Sequence, residues 1–379
     1  MNLSRVYLHY PFCTKLCHYC NFAAGVSTTD NFTNQYYTAL LKEITHYKTK
    51  FDFSQITSRS LYFGGGTPSL IPLDQLENIF SHFTLTPETE VTLEINPETV
   101  TYEKAKIWYQ LGINRVSLGW QTMNADTLKF LGRTSTPQNN IKAFEILRNV
   151  GFDNISVDRI LSIHNDTDKE FFDAIELYKP DHISTYQLSI EDKTVLSLWT
   201  KQKKYLPLLD EEAIQIESIT DDLLENLGFS RYETSNYAQL GKEGQHNMGY
   251  WNYDYWLGLG SGAAGFLPDN GHGFHYRNHF KFRDYCDDPI AYEESEHINL
   301  YTAIKDALML GIRKKSGIDK VKLSQRLGVA WENIFTDTPN PEYFINTASF
   351  LILKKEMIPL SNPAILSLWN IIHPDILNK

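Results

Sequence analysis

The stretch that decides the fold is YLHYPFCTKLCHYCNF, residues 7–22. It continues an apolar and aromatic run over Arg5–His9 that predicts a β-strand, and it then becomes a polar loop. Three cysteines lie in that loop, Cys13, Cys17 and Cys20, with three and two residues between them. One loop can thus wrap three thiolates around a compact metal centre and leave a coordination position open for another ligand.

A structural zinc site is the alternative for this loop, with His9 or His18 as the fourth ligand. Zinc loops usually supply a second ligand pair further along the chain, and the sequence has none at a suitable spacing. Two disulfides are not expected, because the fourth cysteine, Cys286, lies far from the other three. We interpret Cys286 as an unpaired thiol.

The C-x3-C-x2-C loop resembles that of the radical S-adenosylmethionine superfamily. Its flanking residues resemble one branch, the oxygen-independent coproporphyrinogen III oxidase-like proteins. The resemblance implies a [4Fe–4S] cluster on Cys13, Cys17 and Cys20, with S-adenosylmethionine on the iron that has no protein ligand. In that superfamily one electron cleaves the cofactor to a 5′-deoxyadenosyl radical, while the protein orients and shields it.

Outward from the loop, strand and helix patterns alternate, which is typical of an α/β protein with a parallel sheet. The predicted strands are Arg5–His9, Ser60–Phe63, Val91–Ile95, Arg115–Leu118, Ile155–Val157 and His182–Tyr186. The predicted helices between them are Thr33–Lys48, Leu73–His82, Tyr102–Leu111, Pro137–Val150 and Thr167–Tyr178. Six such units predict a barrel or partial barrel, and the resemblance implies a partial (β/α)6 barrel with its site at the carboxyl ends of the strands.

Further candidate cofactor-binding residues follow these strands. The glycine-rich turn LYFGGGTPS, residues 61–69, lets the backbone approach a ligand closely, although such a turn is often only a tight loop. Glu94 ends the third strand, where it could instead be a solvated strand end. By resemblance, the residues that bind the cofactor are Tyr7, Tyr19, Gly65, Gly66, Thr67, Glu94, Gln121, Arg133 and Asp158. For Arg133 and Asp158, a structural ion pair is the alternative.

Two features distinguish between branches of the family. True oxidases of this type usually carry another cysteine two residues after the third ligand, where this chain has Phe22. The motif His246–Trp251 matches the H-N-x-x-Y-W pattern of relatives that bind heme and are thought to deliver it. Imidazole is a good axial ligand for heme iron. The resemblance therefore implies a heme chaperone with His246 as ligand, unless His246 is simply a hydrogen-bonded structural residue.

The alternative function is an oxygen-independent coproporphyrinogen III oxidase, which would decarboxylate its substrate by radical chemistry. The chain departs from both groups after Asp158, where relatives continue with an apolar pair and Gly-Leu-Pro-Gly-Gln and this chain has Arg159–Asp166. Without those glycines and that proline, the backbone angles of the loop must differ. Ala264 likewise stands where many relatives have His.

The domain prediction divides the chain into three parts. Residues 1–235 form the radical S-adenosylmethionine barrel, including a long helix over Glu211–Leu227. Residues 236–298 link the domains and carry the heme motif, and Phe229–Phe280 is predicted to form functional loops. Residues 299–379 form a small helix-rich, winged-helix-like module, whose predicted elements are helices at Leu300–Leu310, Ile318–Arg326 and Pro341–Thr347 and an apolar run at Phe350–Leu353.

Composition limits the partners. A net charge of −11 without a basic stripe argues against binding to nucleic acid through phosphates. No apolar segment of signal-peptide length precedes the cysteine cluster, and no apolar run reaches the length of a membrane span, so we expect a cytoplasmic protein. The expected partners are heme, a heme-acceptor protein and an electron donor, and the sequence identifies neither protein.

Overall fold

The computed structural model describes residues 3–26, 30–53, 55–164, 166 and 169–378. The strands are β1 Arg5–Tyr10, β2 Phe12–Cys13, β3 Gly25–Val26, β4 Ser60–Gly65, β5 Glu90–Ile95, β6 Arg115–Gln121, β7 Ile155–Leu161, β8 His182–Gln187, β9 Ser230–Arg231, β10 Asn236–Ala238, β11 Leu257–Leu259, β12 Ala264–Leu267, β13 Phe274–Asn278, β14 Tyr292–His297, β15 Ile318–Asp319, β16 Phe344–Asn346 and β17 Phe350–Leu353. The α-helices are α1 Asp30–Lys48, α2 Leu73–Phe80, α3 Tyr102–Gln110, α4 Ala125–Phe130, α5 Pro137–Val150, α6 Lys169–Tyr178, α7 Val195–Lys201, α8 Asp210–Asn226, α9 Gln245–Trp251, α10 Phe282–Asp287, α11 Leu300–Gly311, α12 Lys320–Leu327 and α13 Ser361–Trp369.

A nine-stranded sheet forms the centre, in the order β11-β1-β4-β5-β6-β7-β8-β10-β9. Its pairs are parallel from β11 to β8, and the last two pairings, β8 with β10 and β10 with β9, are antiparallel. In the part of the chain that the structure describes, no ladder joins β9 to β11, so the sheet is an open barrel. Helix α9 lies in the segment that connects β10 with β11 and therefore crosses from one sheet edge to the other.

The two faces of the sheet have opposite character. On β1, Val6 and Leu8 are fully buried in the main hydrophobic core, which the flanking helices share. The intervening Arg5, Tyr7 and His9 project from the other face. The same alternation continues around the barrel, where the polar inner positions are Ser60, Tyr62, Glu90, Thr92, Glu94, Arg115, Ser117, Ser156, Asp158, His182 and Ser184. The concave face is therefore a polar surface, as a ligand site requires.

Local sequence explains where the helices begin and end. Helix α5 has Pro137 in its first turn, and Thr136 and Asn139 form a capping box that satisfies free backbone N–H groups. It ends at Gly151, whose φ of +117° suits a residue without a Cβ. Gly112, with φ +95°, follows α3 in the same way. Both glycines stand where the sequence predicts a helix end.

The C-terminal module combines α11, α12 and α13 with a small sheet of order β15-β17-β16. It packs directly on the barrel: the Lys314 ammonium group donates to Asn252 Oδ1 at 2.6 Å, and the Arg326 guanidinium lies 4.1 Å from the ring centre of Tyr255. One hydrophobic core runs through both parts. Among the described residues, no helix has the length and apolar character needed to cross a bilayer.

The predicted barrel fold is confirmed, and two predicted segments are wrong. The expected helix at Pro341–Thr347 contains strand β16, which pairs with β17; Phe344 is buried there, while Ile345 and Asn346 of the same strand are exposed. The expected loops at Phe229–Phe280 contain five short strands and α9. Elements of two to seven residues show too few side-chain repeats for periodicity to reveal them. The predicted start of α6 at Thr167 lies outside the described residues.

Candidate functional site

A cavity of about 360 Å³ lies at the carboxyl ends of the parallel strands. It brings together nearly all of the predicted site residues, which come from the cysteine loop, from β4, β5, β6 and β7 or the turns after them, and from the turn after α4. The predicted residues that line it are Cys13, Cys17, Cys20, Tyr19, Gly65, Gly66, Thr67, Glu94, Gln121, Arg133 and Asp158. The cavity does not include Tyr7 and His246.

The two histidines of the cysteine region anchor the loop instead of lining the cavity. The ring nitrogens of His9 share hydrogen bonds with Tyr7 Oη at 3.0 Å and with the Ala23 carbonyl oxygen at 2.8 Å. His18 Nδ1 donates to the Phe130 carbonyl oxygen at 2.7 Å. Since neither ring faces the cavity, neither is placed to complete a zinc site with the three thiols. Across the described residues, no three His, Cys, Asp or Glu side chains are grouped as for a single metal ion.

A chain of hydrogen bonds connects two of the cysteines through polar side chains. Thr67 Oγ1 donates to Cys13 Sγ at 3.4 Å and accepts from Asn96 Nδ2 at 3.2 Å. Asn96 Oδ1 accepts from Arg133 Nη2 at 2.9 Å, and Arg133 Nη1 donates to Cys17 Sγ at 3.7 Å. These hydrogen bonds hold the Arg133 cation and the Thr67 hydroxyl group beside the sulfurs, where they stabilise thiolate charge.

Close packing makes glycine necessary in the turn after β4. A Cβ on Gly66 would lie 2.8 Å from the Phe12 carbonyl oxygen and 3.0 Å from Cys13 Sγ. Gly65 has a φ of +117°, and its N–H donates to Glu94 Oε2 at 3.1 Å. The turn therefore presses its backbone against the cysteine loop, and residues with a side chain would separate the two.

Burial disfavours free thiolates and free carboxylates in this cavity. It raises the pKa of Cys20 to about 11 and also raises that of Cys13. It raises the pKa of Glu94 to about 7, with the nearby Asp158 adding to the effect, and burial raises the pKa of Asp158 too. A bound metal centre displaces thiol protons, and a cationic ligand favours ionised carboxylates. The cavity therefore suits a metal cluster and a positively charged organic cofactor.

Arg133 and Asp158 form hydrogen bonds with other partners and not with each other. Arg133 donates to the carbonyl oxygen of Gly119 at 3.0 Å, while Asp158 accepts from Ser117 Oγ at 3.0 Å. Among the described residues, the buried Nε of Arg133 has no partner. Arg133 and Asp158 are thus not a closed ion pair, and both keep hydrogen-bonding capacity toward the cavity.

His246 lies at the opposite end of the barrel, where the strands begin. Its ring is buried and shares hydrogen bonds with Ser60 Oγ at 2.8 Å through Nδ1 and with Tyr250 Oη at 2.7 Å through Nε2. Burial lowers its pKa well below the usual range, so the ring is neutral. It also packs on Tyr62, with 4.8 Å between ring centres, and Tyr62 in turn donates to Glu94. Tyr7 lies in the same interior stack, 6.0 Å from Tyr62.

A second histidine, at the same end of the barrel where the strands begin, has an equivalent environment. His182 Nδ1 shares a hydrogen bond with Ser156 Oγ at 2.8 Å, and its Nε2 does so with Tyr232 Oη at 2.8 Å. It is also fully buried, and burial lowers its pKa. The chain therefore has two matched Ser–His–Tyr sets at the start of its strands, and one of them includes the proposed heme ligand.

Sequence reasoning missed several residues of the cavity wall. Asn96 follows β5 directly, and its position after Ile95 could have drawn attention to it, since the site residues cluster at strand ends. Tyr186 and Gln187 end β8 and line the cavity too. Ser117 lies inside β6 and gives no comparable sequence signal, because its role depends on the neighbouring strand.

Comparison with known proteins gives consistent results. Residues 7–178 match the family model of the radical SAM superfamily. The chain is 32% identical over 341 residues to the heme chaperone HemW of Lactococcus lactis, covering 87% of this chain and 86% of that protein. It is 30% identical over 346 residues to heme chaperone HemW of Bacillus subtilis, with 88% and 89% covered. The solved coproporphyrinogen III oxidase of Escherichia coli shares the fold, with a TM-score of 0.80 at 17% identity over 96% of this chain and 90% of that one.

Proposed function

Because this chain belongs to the HemW family of radical S-adenosylmethionine proteins, we propose that it is a heme chaperone. It binds a [4Fe–4S] cluster, S-adenosylmethionine and heme, and it passes heme to an acceptor protein. The observation that carries the proposal is the cavity in which three thiols, the carboxyl groups of Glu94 and Asp158, and Arg133 converge.

Different residues of the cavity would bind the cluster and the S-adenosylmethionine. Cys13, Cys17 and Cys20 would hold the cluster, which supplies an iron for the cofactor and an electron for its cleavage. Glu94 and Asp158 would favour the cationic groups of S-adenosylmethionine, since burial disfavours their own unpaired charge. The unpartnered Nε of Arg133 offers a donor to an anionic group. Tyr19 and Gln121 line the same space.

Heme binding involves the other end of the barrel if His246 is the axial ligand, as the H-N-x-x-Y-W motif suggests. Ligation would exchange a hydrogen bond to Ser60 or Tyr250 for a bond to iron, and the buried ring would have to become accessible. The neutral state of the ring favours metal binding, because only an unprotonated nitrogen can ligate. This assignment remains our prediction.

Titration with heme tests the ligand directly, and His182 provides a matched control. We expect His246→Ala to weaken heme binding and change the Soret absorption of the purified protein. His182→Ala removes an equally buried imidazole with the same kinds of partners, and we expect it to keep the heme spectrum. If both variants bind heme as the unaltered protein does, the axial ligand is another residue.

The oxidase alternative makes a different prediction for turnover. Anaerobic incubation with coproporphyrinogen III, S-adenosylmethionine and a reductant would yield protoporphyrinogen IX if the chain were such an oxidase. We expect no vinyl product from the reconstituted protein. Detection of that product would replace the chaperone proposal with the oxidase.

The proposal also covers the domains of the chain, its location in the cell and its partner proteins. We propose residues 1–235 as the cofactor-binding barrel, 236–298 as the linking region with the heme motif, and 299–379 as the C-terminal module. We also place the protein in the cytoplasm, where reducing conditions keep cluster-binding thiols available. The heme acceptor and the electron donor are separate proteins under this proposal.

A further inference from the structure

The end of β6 holds Gln121 in a conformation that residues with a side chain rarely adopt. The φ angle of Gln121 is +62°, in the left-handed region. The register between β6 and β7 shifts between Leu118 and Gln121. The Gln121 side chain lines the cofactor cavity. A backbone conformation of this kind persists at a ligand site only where the surrounding structure fixes it.

Buried side chains bond three successive carbonyl groups at this point. Asn140 Nδ2 donates to the carbonyl oxygens of Trp120 at 3.3 Å and of Thr122 at 3.2 Å. Between these two, the Gln121 carbonyl oxygen accepts from Arg159 Nη1 at 2.9 Å. The peptide groups on both sides of Gln121 are thereby fixed, and so is the direction in which its side chain leaves the backbone.

Arg159 is itself held in place. Its Nη1 also donates to Asp166 Oδ2 at 2.7 Å, and the side chains are only 2% and 0% exposed. The guanidinium carbon lies 5.4 Å from the ring centre of Phe171. A buried ion pair adds little net stability, because desolvation offsets its attraction, but it fixes geometry well. Both residues lie in the segment that follows Asp158.

We propose that Arg159 and Asp166 are positioning residues for the cofactor, acting through the Gln121 carbonyl group to aim the Gln121 side chain into the cavity. The proposal rests on binding of S-adenosylmethionine in that cavity. Neither residue lines the cavity, but Asp158 and Ile160, the neighbours of Arg159 in β7, do. An effect of Arg159 on the cofactor can therefore pass through the end of β6 or along β7, and only the path through β6 depends on the Gln121 side chain.

A double-mutant cycle on the full, anaerobically reconstituted chain tests this role. Arg159→Lys retains the charge, but the shorter side chain does not reach the Nη1 position from which both bonds are made, and it loses the guanidinium that lies over the Phe171 ring. We expect it to raise the Kd for S-adenosylmethionine about tenfold by equilibrium dialysis, with the visible absorption of the cluster unchanged. In a Gln121→Ala background, where the side chain to be aimed is missing, the same substitution should change the Kd less than about twofold.

Two further variants sharpen the result. Asp166→Asn weakens the pair without changing its volume, and it should raise the Kd in the same direction. Arg148→Lys is the matched control, because Arg148 also donates to two carbonyl oxygens, those of Phe152 and Lys179, and pairs with Asp181. We expect that control to leave the Kd unchanged.

The outcomes separate the two proposals. If the unaltered chain fails to bind S-adenosylmethionine, the proposed function is overturned and this role with it. If the unaltered chain binds but Arg159→Lys and Asp166→Asn bind equally well, only the positioning role is overturned. The same follows if Arg159→Lys costs as much affinity without the Gln121 side chain as with it.

Discussion

Cys13, Cys17 and Cys20 face one cavity, whereas Cys286 lies on α10, partly buried against the hydrophobic core. We expect replacement of any of the first three by Ser to abolish the visible absorption of the reconstituted cluster, because each thiolate is needed to hold it. Cys286→Ser should retain the full absorption. Iron and sulfide analysis of the same samples measures the result, and zinc in place of both would contradict the cluster.

Individual residues show how much of the candidate site can be predicted from the sequence alone. The spacing of the cysteines and the glycines of the β4 turn is local, so it could be interpreted from the sequence alone. The bond between Asn96 and Thr67 joins residues from the ends of two different strands, and the sequence does not show that they meet. The resemblance implies Tyr7 beside the cofactor, whereas its ring packs on Tyr62 in the barrel interior. The two tyrosines lie on neighbouring strands, and the sequence does not show that their rings meet.

At the scale of elements, α9 depends on one carboxylate for its first turn. Glu90 accepts from the backbone N–H groups of Gln245 at 2.8 Å and of His246 at 2.9 Å. We expect Glu90→Gln to destabilise the protein by about 1–3 kcal/mol, because one carboxyl group satisfies two backbone donors at a helix start, of which the His246 N–H is buried. Thermal unfolding of the variant measures this. The exposed Glu88 is the control, and an equal loss in Glu88→Gln would contradict the explanation.

Helix α1 carries a buried carboxyl that connects three elements. Glu43 accepts from the Gly260 N–H at 2.8 Å, from Asn278 Nδ2 at 2.7 Å and from Tyr285 Oη at 2.6 Å. Burial nevertheless raises its pKa from 4.5 to about 7. Between these values the folded protein keeps a proton that the unfolded chain has lost. Stability contributed by this group therefore falls as the pH rises through that window.

We expect Glu43→Gln to reduce that slope, since glutamine does not titrate. The free energy of unfolding in urea, measured between pH 5 and pH 8, should depend less on pH in the variant by up to about 1.4 kcal/mol per pH unit. Some slope should remain, because Glu94 has a pKa raised in the same direction. Identical slopes in the two proteins would show that Glu43 is not protonated in the folded state.

Whether an element could be predicted depended on its length. Helix α5, with fourteen residues, a proline start and a glycine end, was predicted at its observed bounds. Helix α9 has only seven residues and follows Gly244, which has no side chain to cap it, so the sequence shows neither its period nor its boundary. The sequence predicts a helix where strand β16 lies, because three residues cannot show a two-residue period clearly.

At the scale of the whole molecule, the C-terminal module and the barrel share one core. Arg326 of α12 donates to the Tyr253 carbonyl oxygen at 3.3 Å and stacks on the Tyr255 ring. We expect one cooperative unfolding transition by circular dichroism and by fluorescence. Arg326→Ala should lower its midpoint, at a cost of about 1–2 kcal/mol. Two separate transitions in the unaltered chain would mean that the module folds independently.

The open side of the barrel also has a mechanical consequence. Within the described ranges no strand ladder closes this side, which is spanned by the chain between Ala238 and Leu257; helix α9 in that segment is bonded to β4 through Ser60 and to β5 through Glu90. Widening the barrel at this side would therefore have to break these side-chain bonds, whereas the backbone hydrogen bonds of the parallel sheet could all remain.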